Sequence, residues 1–154
     1  MRRTLRLLIA AGAAAALLGA VPAQAATPGS GTLSKAGQEL SWTGSFMLST
    51  VELGCAIVPA CDHYKLKVSM GDGARVRIAI PAPNPATDID FTVYDPKGVE
   101  IASSVNLPGE NESATFTHRG KFRNQVYDVE IDPYLVAPSV VTYKATARVA
   151  KYVK

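Results

Sequence analysis

The chain has 154 residues, with 16 lysines and arginines against 13 aspartates and glutamates, a formal charge of +3, and two cysteines. Arg2, Arg3 and Arg6 account for that whole excess, so the 129 residues after position 25 carry 13 basic and 13 acidic side chains. That length suits one domain with a buried core, and without a basic surplus it lacks the electrostatic motive for binding nucleic acid or anionic membranes.

The first element is not part of the fold. The three arginines precede an apolar run over residues 7–21, and Ala23-Gln24-Ala25 supplies the small-x-small pattern of a cleavage site. Residues 1–25 read as a secretory signal peptide cut between Ala25 and Ala26. The run is shorter than the roughly 20 residues that a membrane span needs, and no second long apolar stretch follows. The expected molecule is therefore exported, without a membrane attachment once the signal is gone.

Residues 26–38 are rich in Gly, Ser, Thr and Ala and read as a flexible N-terminal arm. Residues 39–154 read as a single domain. Cys55 and Cys61 enclose five residues, and in an oxidising compartment two such cysteines are expected to form a disulfide. A zinc site on Cys55, Cys61 and His63 lacks the fourth ligand that structural zinc requires, so no metal is assigned there.

From Glu39 onward the apolar pattern has period two. Tyr64, Leu66, Val68 and Met70 share one strand face, and Val76, Ile78 and Ile80 share the next. Gly71-Asp72-Gly73 lies between them, the signal for a hairpin. Prolines 81, 83 and 85 make residues 81–87 a connection. Ile89, Phe91 and Val93 then alternate with Asp88, Asp90, Thr92 and Tyr94. Asp95-Pro96-Lys97-Gly98 has type I turn chemistry and is expected to be structural, with residues 99–105 as the return strand. Further strands are expected at 114–118, around Tyr127, Val129 and Ile131, and from Val141 to Val149, with no helical stripe anywhere after the signal. Short strands at intervals near ten residues predict an all-β chain: an antiparallel β-sandwich of jelly-roll type.

The segment Asp88-x-Asp90-Phe91-Thr92-Val93-Tyr94-Asp95-Pro96-x-Gly98 resembles the signature strand and turn of the bacterial pre-peptidase C-terminal domain superfamily. Tyr127-x-Val129-x-Ile131 and Tyr143-x-Ala145 are similar to its last two strands, and Cys61-Asp62-His63-Tyr64 to a strand start in secreted members. Gln125 departs from the glycine usual two residues before the penultimate tyrosine. The resemblance covers roughly residues 40–150 and implies a small sandwich carried by secreted bacterial proteins, here without a peptidase domain before it. Calcium binding in collagen-binding relatives relies on an acidic segment before the first strand. Residues 26–41 contain only Glu39, so that site is not carried over.

Chemistry is sparse. No Gly-x-Ser-x-Gly elbow, phosphate loop or zinc-protease helix occurs, and the only bases, His63 and His118, read as ordinary strand histidines, so no catalytic residue is assigned. Asp88 and Asp90 share one strand face, and Asp128, Glu130 and Asp132 share another. Were those strands neighbours, five carboxylates would gather on one surface, a donor set suited to calcium, though alternating acids ordinarily form a solvated face. A lone Trp belongs by default to the core, while Trp42 together with outward Tyr94 is the candidate platform for a sugar or polypeptide. The leading expectation is a secreted, non-catalytic module that binds an extracellular protein, matrix or cell-wall glycan. The alternatives are a small secreted hydrolase or an enzyme's accessory subunit, and a protease-inhibitor-like or structural exported protein working through residues 81–87 and 107–112.

Overall fold

The computed structural model describes residues 24–47, 49–55, 60–119, 124–137 and 140–152. Of the expected signal peptide, only Gln24 and Ala25 fall among them. Ten strands form two five-stranded sheets. The strands are β1 (Gln24–Thr27), β2 (Ser30–Leu33), β3 (Glu39–Phe46), β4 (Asp62–Val68), β5 (Ala74–Ile80), β6 (Asp88–Tyr94), β7 (Glu100–Ser104), β8 (Glu112–Thr117), β9 (Gln125–Leu135) and β10 (Val141–Tyr152). One sheet has the order β1-β3-β10-β5-β8 and the other β2-β4-β9-β6-β7. The inner eight are two four-stranded sheets in jelly-roll order, so the expected fold class holds. Among the described strands, β2 on β4 is the one parallel pair. Among the described residues no helix is long and apolar enough to cross a membrane.

Period-two alternation puts one side of every long strand inside. Tyr64, Leu66 and Val68 of β4 and Val76, Ile78 and Ile80 of β5 belong to one core cluster, with Phe91, Val129, Ile131, Tyr143 and Ala145.

Two expectations fail here. Residues 26–38 are not an arm: β1 and β2 add an edge strand to each sheet, anchored by buried Ala26 and Leu33. An edge strand is held by its backbone and needs only an occasional apolar anchor, so its composition reads as loop. Nor do residues 71–73 turn a hairpin. β4 and β5 lie in different sheets, and Gly73 N–H donates instead to His118 O after β8, at 2.9 Å. Alternation and turn glycines specify a reversal of direction but not which strand receives the hydrogen bonds.

The β6–β7 hairpin holds as expected. Gly98 N–H donates to Asp95 O at 2.9 Å, while the Asp95 carboxylate accepts from Lys97 N–H and Val99 N–H at 2.8 and 3.0 Å. Gly98 has φ +77° and open space where a Cβ would stand. Gly98→Val should then cost about 1–2 kcal/mol through left-handed strain alone, read as a lower urea midpoint. An unchanged midpoint would show that the turn can switch type freely.

Candidate functional site

Four crossovers meet at one pole of the sandwich, joining β3 to β4, β5 to β6, β7 to β8 and β9 to β10. Loop backbone carries polar groups that need partners, and here the loops supply them to one another. Asn84 Nδ2 and Thr87 Oγ1 both donate to Ala137 O, at 3.0 and 2.7 Å. Gly109 N–H donates to Thr87 O at 2.9 Å, and Ala82 N–H to Asn111 Oδ1 at 2.9 Å. Val136 N–H reaches Ser49 Oγ at 2.7 Å, and Thr50 N–H reaches Pro133 O at 2.9 Å. The Cys55–Cys61 disulfide closes the first loop. Closing so short a ring stabilises by roughly 2 kcal/mol in the chain-entropy account.

Beneath this cap lie four carboxyl groups. β6 and β9 are indeed neighbours, and Asp90 stands opposite Asp132. The five predicted acids nevertheless split. Asp88, Asp90 and Asp132 join Glu112 from the other sheet, whereas Asp128 and Glu130 lie further along β9 with His63 and Lys65. Asp88 and Glu112 are 6% and 2% exposed, and one oxygen on each of Asp88, Asp90 and Glu112 has no hydrogen-bond partner. Burial first, then Asp88, Glu112 and Asp132, pushes Asp90 up to about 7. Asp88 is raised by burial and then by Glu112 and Asp132. Asp132 accepts from the Thr50 hydroxyl, and Glu112 from Asn106 N–H at 3.1 Å. Glu112 escaped sequence reading because its sheet was not assignable from the chain; loop-adjacent position was its only signal.

The same pole exposes aliphatic side chains. Val51 and Leu53, Val105 and Leu107, and Val140 lie in three of the crossovers and Leu135 ends β9; the six are 39% to 71% exposed. Val51 sits at φ +41°, a costly conformation for a β-branched residue and one found where surroundings override local preference.

The predicted aromatic platform does not exist. Trp42 is 1% exposed and stacks on Tyr64 inside the core, with ring centroids 3.8 Å apart and planes 5° apart. Its strand parity points inward, and the indole is too large to leave unpacked. Tyr94 lies on the outer face of the opposite sheet, half-buried, with its hydroxyl 3.3 Å from Glu130 Oε1.

The histidines differ from one another. His63 is exposed as expected, with Nδ1 3.2 Å from Asp128 Oδ2, and Lys65 Nζ shares that carboxylate at 2.8 Å. This pair has the form of a base and its orienting acid, yet no serine, threonine or cysteine bonds to either histidine among the described residues. His118, read as ordinary, is completely buried, with Nδ1 2.7 Å from the Tyr127 hydroxyl. Burial lowers its pKa, partly opposed by the Met70 backbone and by Asp72. The unfolded chain titrates near 6.5, so below that pH it binds the proton that folded His118 refuses. Stability should therefore fall as pH drops below about 6.5 and through the folded value. His118→Gln should flatten that slope in urea midpoints taken at about pH 7.5 and 5.5; equal slopes would contradict it.

The fold and its stitched pole define a small jelly-roll module with four clustered carboxyl groups at the loop end. Among solved structures the chain is similar to the pre-peptidase C-terminal domain of collagenase from Bacillus anthracis. The TM-score is 0.53 at 13% identity, over 82% of this chain and 97% of that one. At that identity the likeness is one of fold, and it bears out the architecture that the Asp88–Gly98 segment implied. No protein-family profile and no curated protein matches the chain.

Proposed function

We propose that the chain is an exported, non-catalytic sandwich that binds an extracellular polypeptide through its loop pole. The observation that carries this reading is that the loop pole exposes aliphatic side chains and also holds the clustered Asp88, Asp90, Glu112 and Asp132 carboxyl groups. Solvent-exposed aliphatic side chains at one pole are what a docking surface presents, and the partly exposed Asp90 and Asp132 at that pole suit a lysine or arginine of the partner. Glycan binding is less favoured, because Trp42 is buried and Tyr94 is held by Glu130. The hydrolase alternative has a histidine–acid pair to which, among the described residues, no nucleophile is bonded.

Calcium is the second reading of the same carboxyl groups, favoured by the partnerless buried oxygens of Asp88 and Glu112 and by calcium's preference for oxygen donors. The test uses an array of extended peptides that pair apolar residues with lysine or arginine, probed with and without millimolar calcium. A retained subset should weaken about tenfold in Leu53→Asp/Leu107→Asp, as expected when 1.4 kcal/mol of contact is lost, with the melting temperature unchanged. Binding unaffected by the double substitution would move the site elsewhere. A calcium-dependent rise in melting temperature, abolished in Asp90→Asn, would assign the acids to the ion; no rise would leave them to the partner's cations.

A further inference from the structure

At the same pole, a buried carboxylate points at the bond where the signal is predicted to be cut. Asp62, at the start of β4, is 2% exposed. Its Oδ1 accepts the N–H groups of Ala26 and His63, each at 2.7 Å, and its Oδ2 accepts the Tyr143 hydroxyl. Among the described residues, the ion pairs all fall on Asp128 and Glu130, and none on Asp62. A carboxylate sealed from water without a counter-charge is costly even when hydrogen-bonded. Ala26 is itself 5% exposed. The nitrogen aimed at Asp62 is thus the one that cleavage between Ala25 and Ala26 would free.

We propose that Asp62 is the receptor for the mature N-terminus, pairing with the Ala26 α-ammonium once the signal is removed. In the hydrolysis, water delivers its hydroxyl to the Ala25 carbonyl carbon and a proton to the Ala26 nitrogen as the peptide bond breaks. The freed amine takes a further proton from solvent, because α-amino groups titrate at about 7.7–8.0. Little of the fold is given up. Gln24 loses its pairing with Ser45, but Thr27 keeps its place opposite Thr43. The polar groups at the new charge are Asp62 from β4 and, bonded to it, the Tyr143 hydroxyl from β10, with Gly44 of β3 packed against both. The precursor's fold carries a buried carboxylate that only processing neutralises, so the folded state gains stability after export and not before.

This inference rests on the export reading above but not on polypeptide binding. Its test uses protein exported by its own signal, compared with a variant carrying Ser-Ser between Ala25 and Ala26, each also with Asp62→Asn. Intact mass should place the natural N-terminus at Ala26. The natural form should melt about 5 °C or more above the extended one, and Asp62→Asn should abolish the difference. Acylation of the natural α-amine near neutral pH should run about tenfold slower than in the urea-unfolded chain, the effect of one unit of raised pKa. That comparison decides the matter if Asp62→Asn does not fold. Equal melting of the two forms, or acylation at the unfolded rate, would overturn the docking. An N-terminus at any other residue would overturn it through the cleavage premise, an outcome read from mass alone.

Discussion

Trp42→Ala should lower the unfolding free energy by about 4 kcal/mol, in the range measured for emptying a large aromatic site. The indole lies flat on Tyr64 across the two sheets, with centroids 3.8 Å apart. Its neighbours belong to different sheets, so neither can close over the void without moving a strand. For a domain whose whole stability is about 5–15 kcal/mol, that is a large share. Trp42→Phe should recover much of it, because a smaller ring still stacks on Tyr64. Urea denaturation followed by far-ultraviolet circular dichroism measures both. A small effect from the alanine variant, combined with lost ligand binding, would restore Trp42 as a contact residue.

Gly44→Ala should cost about 3 kcal/mol, at the upper end for overpacking a well-filled site. Gly44 faces Tyr143 across the β3–β10 pair. An added Cβ would stand 2.5 Å from Tyr143 Cε1, 2.5 Å from Asp62 Oδ2 and 2.7 Å from the Tyr143 hydroxyl oxygen. The missing side chain is what lets the phenol lie over the backbone and reach Asp62. Burial, and then Asp62, raises the Tyr143 pKa, so the hydroxyl stays protonated and remains a donor. The alanine methyl must displace the ring or break that bond, and either leaves Asp62 short of a donor. The same urea titration decides this one; a loss below about 1 kcal/mol would show that the ring has room to slide.

Both substitutions lie on one line through the molecule. Trp42 and Gly44 share the inner face of β3, Tyr143 crosses from β10, and Asp62 opens β4 where the disulfide loop ends. The loop pole is therefore built on a packed interior, while its rim is left to solvent. A rigid base with adaptable edges is the arrangement expected of a binding end carried on a sandwich scaffold.

The chain's alternation determined, by itself, which residues point inward. Tyr64, Leu66, Val76, Phe91, Val129 and Tyr143 are all buried as their parity requires, because the side-chain period of a strand is a local property of the backbone. The Asp95–Gly98 turn was legible for the same reason: its hydrogen bonds close within five residues. Partnership between strands was not legible. Whether β4 pairs with β5 or crosses to the opposite sheet depends on contacts far away in sequence, and Gly71 and Gly73 permit both. The carboxyl site shows this division most clearly. Asp88, Asp90 and Asp132 could be named from alternation, and the β6–β9 pairing did bring them together. Asp128 fell away because outward residues four apart on one strand stand more than 10 Å apart, and Glu130, two residues from Asp132, turns to His63 and Tyr94 instead. Glu112 arrived from the other sheet, which only the jelly-roll crossover of β7 into β8 could place there. Tertiary structure alone also decided that Asp62 meets Ala26 and Tyr143, since three segments distant in the chain converge on that carboxylate only after both sheets have closed.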